Sequence, residues 1–289
     1  MLPSWQLALR AERKSPATVK SYSDAVQGLI DWAAAEGVPA VLDKPTVNGF
    51  IAALLDSGRQ SATARSRQLG VRRFSAWLEE ENEIPQDLLI GLKSPKLDSK
   101  VIEPLTEVQI KALIKACAGN DLRSRRDEAI FRFMLETGAR AGECAALALS
   151  DVDLVAGTAV IRRGKGGKGR IVPFGPQTAR AMDRYRRTRA QHQLAHLDVF
   201  WLGDRSKAFS YDALHKALTG RAAAAGVPNF HPHLLRHTAA HRWLAAGGSE
   251  GGLMAVAGWT RPDMIQRYTK ARASDRAAAE ARTLNLGDI

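Results

Sequence analysis

"GTAVIRRGKGGKGRIVPF", residues 157–174, sets two β-rich runs around a turn of glycines and lysines in a chain that is otherwise patterned for helices. Two extended runs joined by a glycine-containing connection read as a hairpin. The turn also invites a phosphate-loop reading, but that motif needs Gly-Lys followed by Ser or Thr, and then a helix. Here Lys168 is followed by Gly169, and a strand follows. The stretch is therefore a lysine-bearing hairpin, with Lys165 and Lys168 in its turn. Helical patterns on both sides make the fold class mainly α with a small antiparallel β-sheet, an α+β arrangement.

Before the hairpin, residues 16–36 place Val19, Tyr22, Val26, Leu29, Ile30 and Ala33 at helical spacing and stop at Gly37. Further helices are expected over about 46–57, ending at Gly58, and 61–82, with Leu69, Phe74, Trp77 and Leu78 as the apolar stripe. "GLKSPKLDSKVIEPLT" (91–106) mixes Pro, Ser and Lys without an apolar period, as a linker does. The expected division is a helical domain at 1–92, a linker at 93–104 and a second domain at 105–289. In the second domain Thr106 is a candidate N-cap, and "DEAIFRFMLETGAR" is a long helix ending at Gly138. Helices are expected again at about 176–195, 210–225, 233–246, 251–257 and 262–268, with an Ala-rich tail helix near 273–283.

Composition narrows the partner. The 289 residues carry a net charge of +12. Residues 1–98 hold 12 basic and 12 acidic side chains, so the whole excess lies in the second domain. A polyanion is favoured. Two cysteines, Cys117 and Cys144, exclude a disulfide framework and a four-cysteine metal site, and suit a reducing compartment. The N-terminus has no long apolar core, and no apolar run reaches about 18 residues. These features predict a soluble cytoplasmic protein with no membrane partner. In the helix at 61–82, Arg65, Arg67, Arg72 and Arg73 lie together opposite the apolar stripe. They form either a solvated face or a set of phosphate contacts.

"HPHLLRHTAAHRW" (231–243) concentrates four histidines and two arginines. On a helix His233, His237 and His241 share one face. A zinc helix of the H-E-x-x-H kind needs a carboxylate as well. None follows before Glu250, and Arg236 stands beside His237. An anion fits this site better than a metal. Elsewhere "TGARAGECAALALSDVD" sets Arg140 just past a glycine turn with Glu143 three residues on, and "AGWTRPDMIQRYTKA" places Tyr268 nine residues after Trp259.

Taken in order, Arg140 with Glu143, hairpin Lys165, His233-x-x-Arg236, Trp259 and Tyr268 resemble the tyrosine recombinase family, also called the phage integrase family. The resemblance covers nearly the whole chain. It departs at "AGW", where many members have "LGH", and at "TGARAGEC", where "TGLRxSEL" is more usual. It implies a core-binding (SAM-like) N-terminal domain at 1–92 and a catalytic domain at 105–289, forming a C-shaped clamp on DNA. It implies metal-independent strand transfer with no cofactor, through a 3′-phosphotyrosine, in integration, excision or resolution.

The implied roles follow phosphoryl chemistry. Arg140 and Arg236 clamp the non-bridging oxygens, and Tyr268 is the nucleophile. Lys165 protonates the leaving 5′-oxygen, with Lys168 as its rival or as a DNA contact. His233 trades a proton, Trp259 donates one hydrogen bond or is a core aromatic, and Glu143 and His237 support the others. The implied partners are double-stranded DNA with specific sites and a homotetramer across two duplexes, monomeric without DNA. Accessory proteins stay open. So do two other functions: DNA relaxation of the type IB topoisomerase kind, and a non-catalytic DNA-binding relative.

Overall fold

The computed structural model describes residues 1–98, 102–162, 169–203, 209–259, 261, 265 and 281–283. The chain divides into two compact units, Met1–Lys100 and Val101–Ile289.

The first unit is helical throughout its regular structure: α1 (Leu2–Ala11), α2 (Pro16–Glu36), α3 (Lys44–Asp56) and α4 (Ser61–Glu80). Its helix starts are written locally. The Ser15 hydroxyl accepts the Thr18 N–H and the Asp43 carboxylate accepts the Thr46 N–H, each leading into a proline in the first turn. Ala25, Leu29, Phe50, Ile51 and Val71 form one buried cluster. Trp5, Leu9, Val26, Phe74 and Leu78 form a second, so α1, which the sequence reading left unassigned, is held by Trp5 and Leu9.

The second unit contains α5 (Glu107–Ala116), α6 (Leu122–Thr137), α7 (Ala141–Ala145), β1 (Val152–Asp153), β2 (Thr158–Ile161), β3 (Arg170–Pro173), α8 (Pro176–Arg189), α9 (Tyr211–Ala224), α10 (Pro232–Ala245) and α11 (Glu250–Ala257). The sheet is antiparallel in the order β1-β2-β3, with Ile161 opposite Arg170 at the turn end of the hairpin. Thr106 caps α5 through a capping box with Gln109. α6 runs through the core, with Ile130, Phe131, Phe133 and Met134 fully buried. It stops at left-handed Gly138 (φ 61°).

Three expectations are corrected. α6 starts at Leu122, five residues before the expected "DEAIF" segment, because Asp121 caps it through the Ser124 N–H. A third strand, β1, is present. α8 ends at Arg189 rather than near 195, because the Arg189 guanidinium is turned inward and donates to the carbonyls of Ala195, Val199 and Phe200. The hairpin turn at 163–168 and the expected helices at 262–268 and 273–283 lie largely outside the described residues.

The segment that Arg189 gathers in also fixes α7. Phe200 N–H donates to Leu147 O, Leu149 N–H to Asp198 O, and the buried Trp201 indole donates to the Cys144 carbonyl at 2.9 Å. Trp201→Phe should remove one of the two donors of that carbonyl, which keeps the Leu147 N–H at 3.2 Å, at about 0.5–1.5 kcal/mol of stability. Urea unfolding of the two proteins measures this, and an unchanged midpoint would contradict the tether.

Candidate functional site

Arg140 is the N-cap of α7, two residues past the Gly138 stop. The Glu143 carboxylate folds back onto it: Oε2 accepts the Arg140 backbone N–H at 2.9 Å and Oε1 accepts Nη1 at 2.7 Å. On the other side Arg170, the first residue of β3, donates Nη1 to Oε1 at 3.1 Å and Nη2 to Oε2 at 2.7 Å. Its Nε donates to the Val256 carbonyl in the last turn of α11 at 2.7 Å. Burial would raise the Glu143 carboxyl, but the bonds from Arg170 and from the Arg140 backbone and side chain outweigh it and hold the pKa at about 2.

Arg236, 2% exposed, spans two helix ends. Nη1 donates to the Gly138 carbonyl at the end of α6 at 2.6 Å, and Nη2 to the Ala257 carbonyl at the end of α11 at 2.7 Å. Helix C-termini carry partial negative charge, so a guanidinium suits both. Its Cζ lies 5.2 Å from the centroid of the Trp259 ring. Trp259 is buried in a cluster with Ala240, Leu253, Ala257 and Ile265. The buried indole thus has a cation against its face.

His233 is solvent-exposed, one turn before Arg236 on α10. Partial desolvation, then the positive charges of Arg236, His231, His237 and Arg140, hold its pKa below the usual imidazole range. Arg236 itself reaches the Gly138 carbonyl, two residues before Arg140, and neutral imidazole is the favoured form at His233. His237 is tied to the segment before α5. Its ring is hydrogen-bonded to the Ile102 carbonyl at 2.5 Å and lies edge-on to His241 at 4.5 Å. Next to it, the Thr238 hydroxyl accepts the Leu105 N–H. Burial lowers the His237 pKa. Its support goes to the 102–105 segment.

Lys165, Lys168 and Tyr268 lie outside the described residues. Their flanks bracket the site: Arg170 begins the strand that follows the lysines, and Ile265, three residues before Tyr268, belongs to the Trp259 cluster. The other tyrosines sit in ordinary surroundings. Tyr185 is buried, donates to the Phe200 carbonyl and accepts the Leu202 N–H, and burial pushes its pKa up to about 12. Tyr22 stacks on Trp5, and Tyr211 is exposed beside His215.

In the first unit Arg65 and Arg73 are exposed and Arg72 half-buried. Arg67 departs from the expected group. Two residues from Arg65 is about 200° around a helix, and Arg67 reaches across to the Ser21 carbonyl at 3.5 Å and Asp24 at 4.0 Å. Among the described residues no group of three His, Cys, Asp or Glu side chains could hold a metal ion, and no helix is long and apolar enough to cross a membrane. Sequence reasoning missed Arg170 and the α11 carbonyls. Arg170 meets Glu143 across 27 residues and Val256 across 86, and no spacing rule spans such separations.

Comparison with known proteins identifies the family of the chain. The family model described as "Phage integrase family" matches residues 103–275. Tyrosine recombinase XerD of Bifidobacterium longum (strain NCC 2705) is 28% identical over 267 residues, covering 88% of this chain and 86% of that protein. The crystal structure of XerA recombinase is 27% identical with a TM-score of 0.54, covering 93% and 92% of the two chains. A lambda integrase tetramer bound to a Holliday junction is 14% identical with a TM-score of 0.71, covering 92% of this chain and 75% of that one, a likeness of fold.

The Glu143 geometry has a pH signature. A carboxyl at about 2 in the folded state, against an ordinary 4.5, adds stability that is fully present above pH 4.5 and is lost as pH falls towards 2. The stability difference between the wild type and Glu143→Gln should therefore shrink as pH is lowered from 5 through 3. A difference that stays constant over that range would mean the carboxyl is not held down.

Proposed function

The chain belongs to the phage integrase family, the tyrosine recombinases, and we propose how its own residues carry out site-specific DNA recombination. The observation that carries the assignment is the convergence of Arg140, Arg236 and His233, two guanidiniums and a neutral imidazole, at the junction of α6, α7, α10 and α11. Guanidiniums stay charged at every working pH and match the non-bridging oxygens of a phosphodiester. Charge grows on those oxygens as phosphorus becomes five-coordinate, so preformed cations stabilise the transition state more than the ground state.

Tyr268 is the nucleophile. Its phenolic oxygen bonds to phosphorus as the bond to the 5′-oxygen breaks, giving a 3′-phosphotyrosine and a free 5′-hydroxyl. A phenol titrates near pH ~10, so its proton must leave with help. His233, held neutral, takes it directly or through a phosphate oxygen. Lys165, in the hairpin turn, gives a proton to the 5′-oxygen. Rejoining runs the same steps backwards with a hydroxyl from another strand. Trp259 walls the site and holds Arg236 against its face, with its indole N–H as the donor that other members supply from histidine.

Residues 105–289 are the catalytic domain in this scheme and 1–92 a DNA-binding domain, with Arg65, Arg72, Arg73 and Lys168 as phosphate contacts. Arg67 serves the α2–α4 packing instead. Double-stranded DNA is the partner. A homotetramer across two duplexes is supported by the lambda integrase tetramer on a Holliday junction. The family's recombination chemistry favours an intracellular, cytoplasmic setting.

One experiment identifies both the nucleophile and the site. The full chain is incubated with sheared DNA flanking its gene, covalent adducts are captured under denaturing conditions, and both the attached DNA and the linked peptide are sequenced. The expected result is a DNA-linked peptide carrying phosphorus on Tyr268, and no capture by Tyr268→Phe. An adduct on Tyr211, or capture by the Phe variant, overturns the assignment.

A further inference from the structure

Glu143 lies 2.7 Å from the proposed phosphate-binding Arg140, and by itself would neutralise it. A buried carboxylate with one guanidinium makes a closed, uncharged pair, and such a pair offers little to a phosphate. The structure avoids this with Arg170, whose two Nη atoms also bind the carboxylate, so the three side chains together keep one positive charge. Exposure tells which cation faces outward. The Arg140 side chain is 27% exposed, Arg170 10% and Glu143 6%. Arg170 is the inner partner and Arg140 the outer one.

A second observation, independent of Glu143, shows that Arg170 is built in. Its Nε is tied to the Val256 carbonyl, and its Cδ, Nε and Cζ run so close to Gly258 that a Cβ there would meet each at 3.1 Å. Gly258 is also left-handed (φ 64°). The glycine before Trp259 thus clears the path that lets the Arg170 guanidinium reach Glu143.

We propose that Arg170 is a positioning residue which, as the second counter-ion of Glu143, keeps the charge of Arg140 available to the scissile phosphate. The proposal rests on the assignment of Arg140 to that phosphate, and it predicts a change of sign that a merely structural strut does not. Removing Arg170 lets the Glu143 carboxylate capture Arg140. Removing the carboxylate as well releases it.

The test is single-turnover cleavage of a nicked duplex bearing the captured site, by the full chain and by Arg140→Ala, Arg170→Ala, Glu143→Gln and Arg170→Ala/Glu143→Gln, with melting temperature and DNA binding recorded for each. Arg170→Ala should cleave roughly 10²-fold more slowly, the loss typical of one preorganised transition-state donor. The double variant should be about tenfold faster than Arg170→Ala, a non-additive gain between contacting residues. A double variant as slow as Arg170→Ala, or slower, overturns the proposal. If Arg170→Ala fails to fold, Arg170→Lys keeps the charge without the bidentate fork. Cleavage within tenfold of wild type then supports the proposal, and a folded lysine variant slowed by 10²-fold or more overturns it. Arg140→Ala cleaving at the wild-type rate would instead remove the parent assignment, and this proposal with it.

Discussion

The second unit of the molecule depends on how one buried carboxylate is shared. Glu143 accepts four hydrogen bonds, two from Arg140 and two from Arg170. An ion pair this buried is weak evidence of added stability, because desolvation offsets most of the attraction. Its value lies in geometry. The carboxylate fixes the start of α7, the guanidinium on its outer side and the strand on its inner side, and through Arg170 it reaches the end of α11. Elements distant in sequence are thereby held to a precision that packing alone does not impose.

Arg236 shows the same economy with carbonyls in place of a carboxylate. The ends of α6 and α11 each present a peptide oxygen to it. Two helix termini share one cation. Arg170 and Arg236 take the successive carbonyls Val256 and Ala257, so α11 acts as a bracket for both arginine systems. Gly258 and Trp259 follow at once.

Much of this was legible in the sequence where the determinants are local. Gly37, Gly138 and the Thr106 cap end or begin helices through bonds within a few residues, and the two runs around the Gly/Lys turn pair as a hairpin. Arg140, Glu143, His233, Arg236 and Trp259 were legible together only as an ordered set matching a family, since each alone is an unremarkable residue. What was not legible depends on tertiary partners. β1 is two residues long and exists by pairing with β2. α8 ends where Arg189 finds carbonyls 6 to 11 residues ahead. Arg170 reads as one more basic residue after a turn until the fold brings Glu143 and Val256 to it. Arg67 looked like its neighbours until helix geometry turned it to α2.

The central claim is that arginine charge, preset by these anchors, offsets the charge that develops on the scissile phosphate. The most direct measurement compares a normal substrate with one whose scissile non-bridging oxygen is replaced by methyl, which removes the phosphate's negative charge. On the normal diester, Arg140→Ala should cleave roughly 10²- to 10³-fold more slowly than wild type. On the methylphosphonate it should recover most of that loss, because the charge that Arg140 answers is gone. An Arg140→Ala defect of equal size on both substrates would contradict the account, since the arginine would then be shaping the site without meeting the phosphate.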